Sequence, residues 1–375
     1  MPDELFDLKA GYVNFKNPIA LAPMGGITDS DFANKHAADA GLVILGGYNL
    51  DEKTQSAASD MIARGREEFI AEDPFKFIEQ EIMAVSTGAA VAVNVRSTSI
   101  GPLLKAAAIA KDAGAILELD AHCRQEEMTS IGTGQALLYN IPLLTELIKK
   151  IKGTGVVLSV KVRGNVVDDL QLTREIESAG ADILHLDAMM EGAGADLKLI
   201  MSIRDSTRMF LICNNSVTDP GTAKDMFSRG ADMVSVARGV LENPALISHL
   251  VKNVTILHED MGWYNAPKHV CRGEGDLRGL TFCCLPVKQC PVHGKIKTLG
   301  LTAQEFVDIK MEFAKGTILE YGDSTCFGSL VWCCKISKPC FLRDGVLETL
   351  GLSDAEYMRL KKELADHILE NVKPR

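Results

Sequence analysis

Eight of the chain's ten cysteines fall into two matching clusters in its last third. Cys283-Cys284-Leu285-Pro286-Val287-Lys288-Gln289-Cys290 returns as Cys333-Cys334-Lys335-Ile336-Ser337-Lys338-Pro339-Cys340. Cys271 and Cys326 precede them, giving C-x11-CC-x5-C and C-x6-CC-x5-C. Four thiols per unit is what a tetrahedral zinc ion or a 4Fe-4S cluster requires. Cys271, Cys283, Cys284, Cys290, Cys326, Cys333, Cys334 and Cys340 are therefore the candidate ligands of one or two metal sites. The spacing leaves the metal open, because a ferredoxin-like C-x2-C-x2-C run is absent and adjacent thiols do not easily bind one ion together. Both clusters precede the same helix opening, Leu301-Thr302-Ala303-Gln304-Glu305-Phe306 and Leu352-Ser353-Asp354-Ala355-Glu356-Tyr357. In each, a capping box is expected, Thr302 with Glu305 and Ser353 with Glu356.

A second set of chemically capable residues lies earlier, at the ends of short apolar runs: Pro23, Met24 and Gly25; Tyr48; Asn94 and Arg96; Asp120, His122 and Cys123; Lys161 and Arg163; Asp187; Asn214 and Asn215; Arg238. So many polar groups ending apolar runs describe a pocket rather than a packing pattern. The runs themselves read as eight strands: Ile19 to Met24, Leu42 to Gly47, Ala89 to Val95, Ala115 to Ala121, Val156 to Val162, Ile183 to Asp187, Phe210 to Asn215 and Met233 to Arg238. Continuous hydrophobic strands separated by helix-length segments argue for a parallel sheet buried on both faces, and eight of them for a (β/α)8 TIM barrel. Gly134 to Ile151 and Asp169 to Ala179 carry apolar residues at helical spacing, and the longest link, Tyr48 to Gly88, is expected to be helical. In such a barrel, chemistry sits at the C-terminal ends of the strands. The expected organisation is a barrel over residues 1–256 followed by a Cys-rich, helix-containing metal-binding region over 257–375.

Charge follows the same division. The net charge of −10 separates into −12 before Lys268 and +2 from there on, with 16 basic and 14 acidic residues in the tail. No basic stripe marks a nucleic-acid surface, so tRNA is an unsupported partner on charge alone. No apolar run is long enough to cross a bilayer, and Met1-Pro2-Asp3-Glu4 does not open as a signal peptide, so no membrane partner and a cytoplasmic location are expected. There, thiols stay reduced, which favours ligation over disulfides.

Asn17-Pro18-Ile19-Ala20-Leu21-Ala22-Pro23-Met24-Gly25-Gly26-Ile27-Thr28-Asp29 resembles the opening of tRNA-dihydrouridine synthases, flavin barrels related to dihydroorotate dehydrogenases. The similarity continues through Val93-Asn94-Val95, Glu118-Leu119-Asp120-Ala121-His122-Cys123, Val160-Lys161-Val162-Arg163 and Val236-Ala237-Arg238-Gly239. With its doubled cysteine tail, the whole chain is similar to the methanogenesis marker family numbered nine. The resemblance implies FMN, with Pro23, Met24 and Gly25 against the ring system, and Asn94 and Lys161 at its polar edge. Loops seven and eight of a barrel are the usual phosphate cradle, here Asn214, Asn215, Ser216, Ala237, Arg238 and Gly239. Cys123 falls where those synthases carry the cysteine that protonates the substrate carbon, so Cys123 and Lys161 are the expected catalytic residues. Asp120, His122, Arg163 and Asp187 are expected to meet substrate, and Cys213, inside a strand, to be core.

Three departures bear on substrate: Asn94 stands for a glutamine, Asp120 for an asparagine, and Asp187-Ala188-Met189 for a His-Gly-Arg. His185, two residues before Asp187, is either a substitute for the lost histidine or a hydrogen-bonded barrel residue. The synthases' helical RNA-binding domain gives way here to the cysteine tail. The reading reached is an FMN-dependent oxidoreductase with an iron-sulfur electron relay, associated with methanogen metabolism. The alternatives are a tRNA-dihydrouridine synthase and a non-catalytic, zinc-held assembly protein. An unidentified redox partner or substrate and further copies of the chain are the expected partners.

Overall fold

In a computed structural model, the described residues are 8–190 and 194–261, with Phe6, Gly192 and five positions between 351 and 359. They belong mainly to the first of two units, Met1–Asn253. The eight candidate metal-ligand cysteines lie outside the described residues, as does the Thr302 helix opening. At the second opening, Ser353 Oγ and Glu356 Oε2 lie 2.7 Å apart, the Glu356 amide donates to Ser353 Oγ, and the Ser353 amide donates to the Glu356 carboxylate, which is the expected capping box.

Eight parallel strands close into a barrel in chain order: Ile19–Leu21, Leu42–Asn49, Ala90–Arg96, Ile116–Ala121, Val157–Arg163, Ile183–Asp187, Phe210–Asn214 and Met233–Val236. Their hydrophobic continuity reflects burial on both faces, inward against the other strands and outward under the helices; all eight residues of Leu42–Asn49 are buried. All eight expected strands are present, within a few residues at their ends. Cys213 is fully buried, as expected of a core thiol.

The helices start where short acidic side chains can cap them. Asp29, Asp51, Asp73, Asp168, Asp196 and Asp219 each accept hydrogen bonds from backbone N–H groups of the first helical turn. Each such cap stabilises its helix by about 1 kcal/mol. Part of the barrel's acidity is thus spent on helix starts.

Two expected helices are divided. Gly134 to Ile151 becomes a 3-10 turn, Gly134–Tyr139, and a helix, Ile141–Lys152, because Asn140 caps the second piece ahead of Pro142. The Tyr48 to Gly88 link holds two helices, Glu52–Ala63 and Pro74–Ala84. The first ends at Gly65, whose φ of +90° lets its N–H bond Ile62 while the Arg66 N–H bonds Met61. The second begins at the Asp73 cap and Pro74. Between them, residues 64–73 run back over the barrel mouth, where Gly26, at φ +72°, lies so close to the Glu67 backbone that a Cβ would collide with it.

Candidate active site

The C-terminal ends of the strands enclose a cavity of about 600 Å³. That is within the usual range for small-molecule and cofactor sites, roughly 300–1,000 Å³. Every residue expected to catalyse, hold cofactor or meet substrate lines it: Pro23, Met24, Gly25, Asn94, Asp120, His122, Cys123, Lys161, Arg163, Asp187, Asn214, Asn215, Ser216, Ala237, Arg238 and Gly239. The barrel's geometry brings them together from seven strand ends.

Lys161, nearly inaccessible at the end of strand five, is held from below. Its Nζ lies 3.0 Å from His185 Nε2, and His185 Nδ1 lies 2.8 Å from Glu118 Oε2. Glu118 also accepts from Asn94 Nδ2 at 2.9 Å and Ser159 Oγ at 2.8 Å. Ser235 Oγ sits 2.8 Å from His185 Nε2 and accepts from Asn214 Nδ2 at 2.9 Å. His185 Nδ1–H is donated to Glu118 and Nε2 accepts from Ser235, while Lys161 Nζ, 3.0 Å from Nε2 and 3.4 Å from Nδ1, lies against the ring. Burial and the neighbouring ammonium push His185 below its ordinary pKa, so it is neutral at neutral pH. Burial raises the Glu118 carboxyl, but His185, Lys161 and Asn94 outweigh it and hold Glu118 well below the usual range. His185 is thus a hydrogen-bonded barrel residue rather than a pocket substitute.

A second group sits beside the first loop. Arg96 Nη2 donates to Glu68 Oε2 at 2.6 Å and to the Gly47 carbonyl at 2.9 Å, with both charged side chains buried. Glu68 also pairs with Arg66 at 3.2 Å. A Cβ on Gly25 would stand 2.9 Å from both Glu68 carboxylate oxygens, so glycine there admits the Glu68 side chain to the mouth. Arg96 Nη1 donates to Cys123 Sγ at 3.4 Å. Cys123 otherwise packs on Ala57, Ala58, Met61 and Met128, so its setting is more apolar than its neighbours His122 and Arg124 lead one to expect. Burial raises its thiol above the ordinary value, with Arg96 opposing.

The third group joins strands four, six and seven. His122 Nε2 lies 2.7 Å from Asp187 Oδ2, and Asn215 Nδ2 donates to Asp187 Oδ1 at 2.9 Å. These contacts outweigh burial and depress the Asp187 carboxyl below its ordinary value. Asp120 Oδ1 accepts from the backbone N–H groups of both His122 and Cys123, fixing the loop that carries them. Asn215 and Ser216 hold φ of +114° and +53°, left-handed values that cost non-glycine residues strain and cluster at functional sites.

Glu68, Glu118 and Ser235 are absent from the expected site. Glu118 and Ser235 were detectable as polar residues inside apolar strands. Glu68 was not, because Arg64-Gly65-Arg66-Glu67-Glu68 reads as a solvated charged run.

The cavity's cations fit an anionic occupant. Among the described residues, Lys161, Arg163 and Arg238 line the mouth with no carboxylate within ion-pair distance, and Lys161 and Arg163 are buried. An unpaired buried cation is costly, and a bound phosphate or an electron-rich ring edge would offset that cost.

Residues 20–272 match the dihydrouridine synthase family. Two uncharacterized proteins of Methanocaldococcus jannaschii are similar, one 58% identical over 30% of this chain and 71% of its own length, the other 38% identical over 60% and 89%. A probable tRNA-dihydrouridine synthase of Rhodobacter capsulatus is 27% identical over 60% of this chain and 68% of its own. Among solved structures, TcOYE with pHBA shares the fold at 14% identity, with a TM-score of 0.52 over 67% of this chain and 93% of that one. On the extent of that family match, the chain belongs to the dihydrouridine synthase family of flavin-dependent oxidoreductases.

Proposed function

We propose that FMN binds in the barrel mouth and that the protein exchanges hydride between it and an unsaturated substrate. Lys161 carries this reading: it is a buried cation on the cavity wall, held by a neutral histidine and free of any direct carboxylate pair among the described residues. FMN would supply the two-electron carrier. Lys161 and Asn94 would meet its polar edge, Pro23, Met24 and Gly25 its ring face, and Asn215, Ser216, Arg238 and Gly239 its phosphate. A lysine there favours negative charge on a reduced ring. Hydride transfer to a carbon–carbon double bond also needs a proton at the neighbouring carbon, and the loop after strand four brings both Cys123 and His122 to the cavity.

The eight tail cysteines support an iron-sulfur relay delivering electrons to that flavin, with zinc as the alternative occupant. The relatives in Methanocaldococcus jannaschii support an association with methanogen metabolism. A second reading, tRNA as substrate, is supported by the relatives described as probable tRNA-dihydrouridine synthases and by Arg66, Arg124, Arg163 and Arg238 around the mouth.

The test is anaerobic purification, an absorption spectrum, and iron, zinc and acid-labile sulfide assays on the same sample. Flavin bands over a broad iron-sulfur shoulder are expected. Lys161→Ala protein that keeps its FMN and still accepts electrons at the native rate would overturn the placement of the site.

A further inference from the structure

We propose that Arg96, anchored by Glu68, is a positioning residue for Cys123: its guanidinium holds the sulfur at the cavity wall and stabilises the thiolate left when the proton is given up. The inference rests on the flavin reading above, with Cys123 as the proton donor within it. Three observations carry it. The buried guanidinium divides its two arms, Nη2 donating to Glu68 Oε2 at 2.6 Å and to the Gly47 carbonyl at 2.9 Å, and Nη1 donating to Cys123 Sγ at 3.4 Å. Its Nε is buried without a hydrogen-bond partner among the described residues and lies 3.8 Å from Asp120 Oδ2, so Arg96 faces two carboxylates and one thiol. The Cys123 backbone is fixed as well, its N–H donating to Asp120 Oδ1 and its carbonyl accepting from the Gln135 N–H at 2.8 Å.

A planar, forked guanidinium can grip a carboxylate and a carbonyl with one arm and a sulfur with the other, which the point charge of a lysine cannot do. Glycines leave room for the arrangement. A Cβ on Gly47 would stand 3.0 Å from Arg96 Nη2, and one on Gly25 2.9 Å from both Glu68 carboxylate oxygens. A buried ion pair adds little stability over apolar side chains of the same size, so packing alone does not account for one at the cavity wall.

In the reductive direction, one substrate carbon receives hydride from the reduced flavin and its neighbour receives the Cys123 proton. The carbon–carbon π bond and the S–H bond break and two C–H bonds form. The substrate gains two electrons, the flavin loses two, and solvent reprotonates the thiolate. Burial favours the neutral thiol, Arg96 opposes it, and Asp120 and Glu68 act with burial. The thiol therefore keeps its proton until the substrate takes it, and the guanidinium already faces the charge that then appears on sulfur. The other titratable groups beside Cys123 are His122 and Arg124 on its own loop. Helices Glu52–Ala63 and Glu126–Thr129 present the apolar Ala57, Ala58, Met61 and Met128 to it.

The test follows alkylation of Cys123 by iodoacetamide in the full-length protein as purified, across a pH series, read by peptide mass spectrometry. Arg96→Met should move the midpoint to higher pH and slow labelling on its acid side at least ~10-fold, because a cation in contact with the thiolate is lost. Glu68→Gln should move the midpoint the other way. Adding Arg96→Met to Glu68→Gln should raise it again, in a protein where no Glu68 charge is left stranded. A brace without an electrostatic part would only loosen the loop, and both changes would then raise the limiting rate and leave the midpoint in place. That pattern overturns the proposal, as does a midpoint that Arg96→Met leaves unmoved or lowers in the Glu68→Gln background. Flavin absorbance on the same samples separates the two readings: native protein without flavin sinks the flavin reading, while the midpoints still decide the role of Arg96.

Discussion

Lys161 is held by groups the cavity does not expose. Glu118 and His185 are fully buried beneath it, and taking the charged acceptor out of such a network leaves buried donors without their partner. Glu118→Gln weakens the acceptor that His185, Asn94 and Ser159 share and is therefore expected to cost about 1–3 kcal/mol at neutral pH, measured by chemical denaturation. The pH dependence has a definite sign. The folded carboxyl titrates at about 2, below its unfolded value, so its contribution is complete above the unfolded value and is lost as pH falls through about 2. The gap between native protein and the variant should close only in strong acid. Cys123 allows a second residue-level test. Its raised thiol should react with iodoacetamide only at higher pH than an ordinary cysteine. Glu68→Gln should accelerate that labelling, because it removes a negative charge and frees the Arg96 guanidinium to stabilise the thiolate. Peptide mass spectrometry would read both, and slower labelling in the variant would contradict the assignment.

At the scale of elements, Asp51 joins two loops of the mouth. Its Oδ1 accepts from the Thr54 backbone to cap the helix after strand two, and its Oδ2 accepts from Ser97 Oγ at 2.7 Å and the Thr98 backbone at 2.6 Å after strand three. Asp51→Ala removes the cap and three cross-loop bonds, the third from Thr98 Oγ1, and should lower stability by about 1–3 kcal/mol with a matching fall in Tm. The elements were also the most legible part of the sequence. Strands such as Val157–Arg163 are buried along their whole length and so read as apolar runs, and the barrel's closure then gathers their polar ends into one place. Legibility failed where chemistry came from a connector. Residues 64–73 reach the mouth only because Gly65 turns the chain and Gly25 and Gly26 leave room, and those are tertiary facts about a run that locally looks solvated. His122 and Asp187 were visible as pocket residues, but their pairing was not, since 64 residues lie between them.

For the whole molecule, charge and cysteines divide the work. The segment before Lys268 carries −12, much of it in surface carboxylates and helix caps, yet its barrel mouth presents Arg66, Arg124, Arg163 and Arg238. These arginines share the mouth with Glu67, Glu68, Asp120, Asp187 and Glu242, so the mouth is close to neutral within an acidic body that repels large anions. Binding of unmodified tRNA should therefore be weak and fall steeply with salt if it occurs at the mouth, and filter binding across a salt series would measure the slope. On the iron-sulfur reading proposed above, Cys333→Ala should remove the cluster absorption without emptying the flavin site. Survival of the full cluster signal would remove Cys333 from the ligands.

The polar chain inside the barrel has a consequence for descent. Asn94, Glu118, Ser159, Lys161, His185, Asn214 and Ser235 come from six different strands, three through eight, and each satisfies its neighbours. A lineage cannot exchange one member without leaving another orphaned in a dry interior. These seven positions should thus be inherited as a block, and related chains should carry the whole set or a different set altogether.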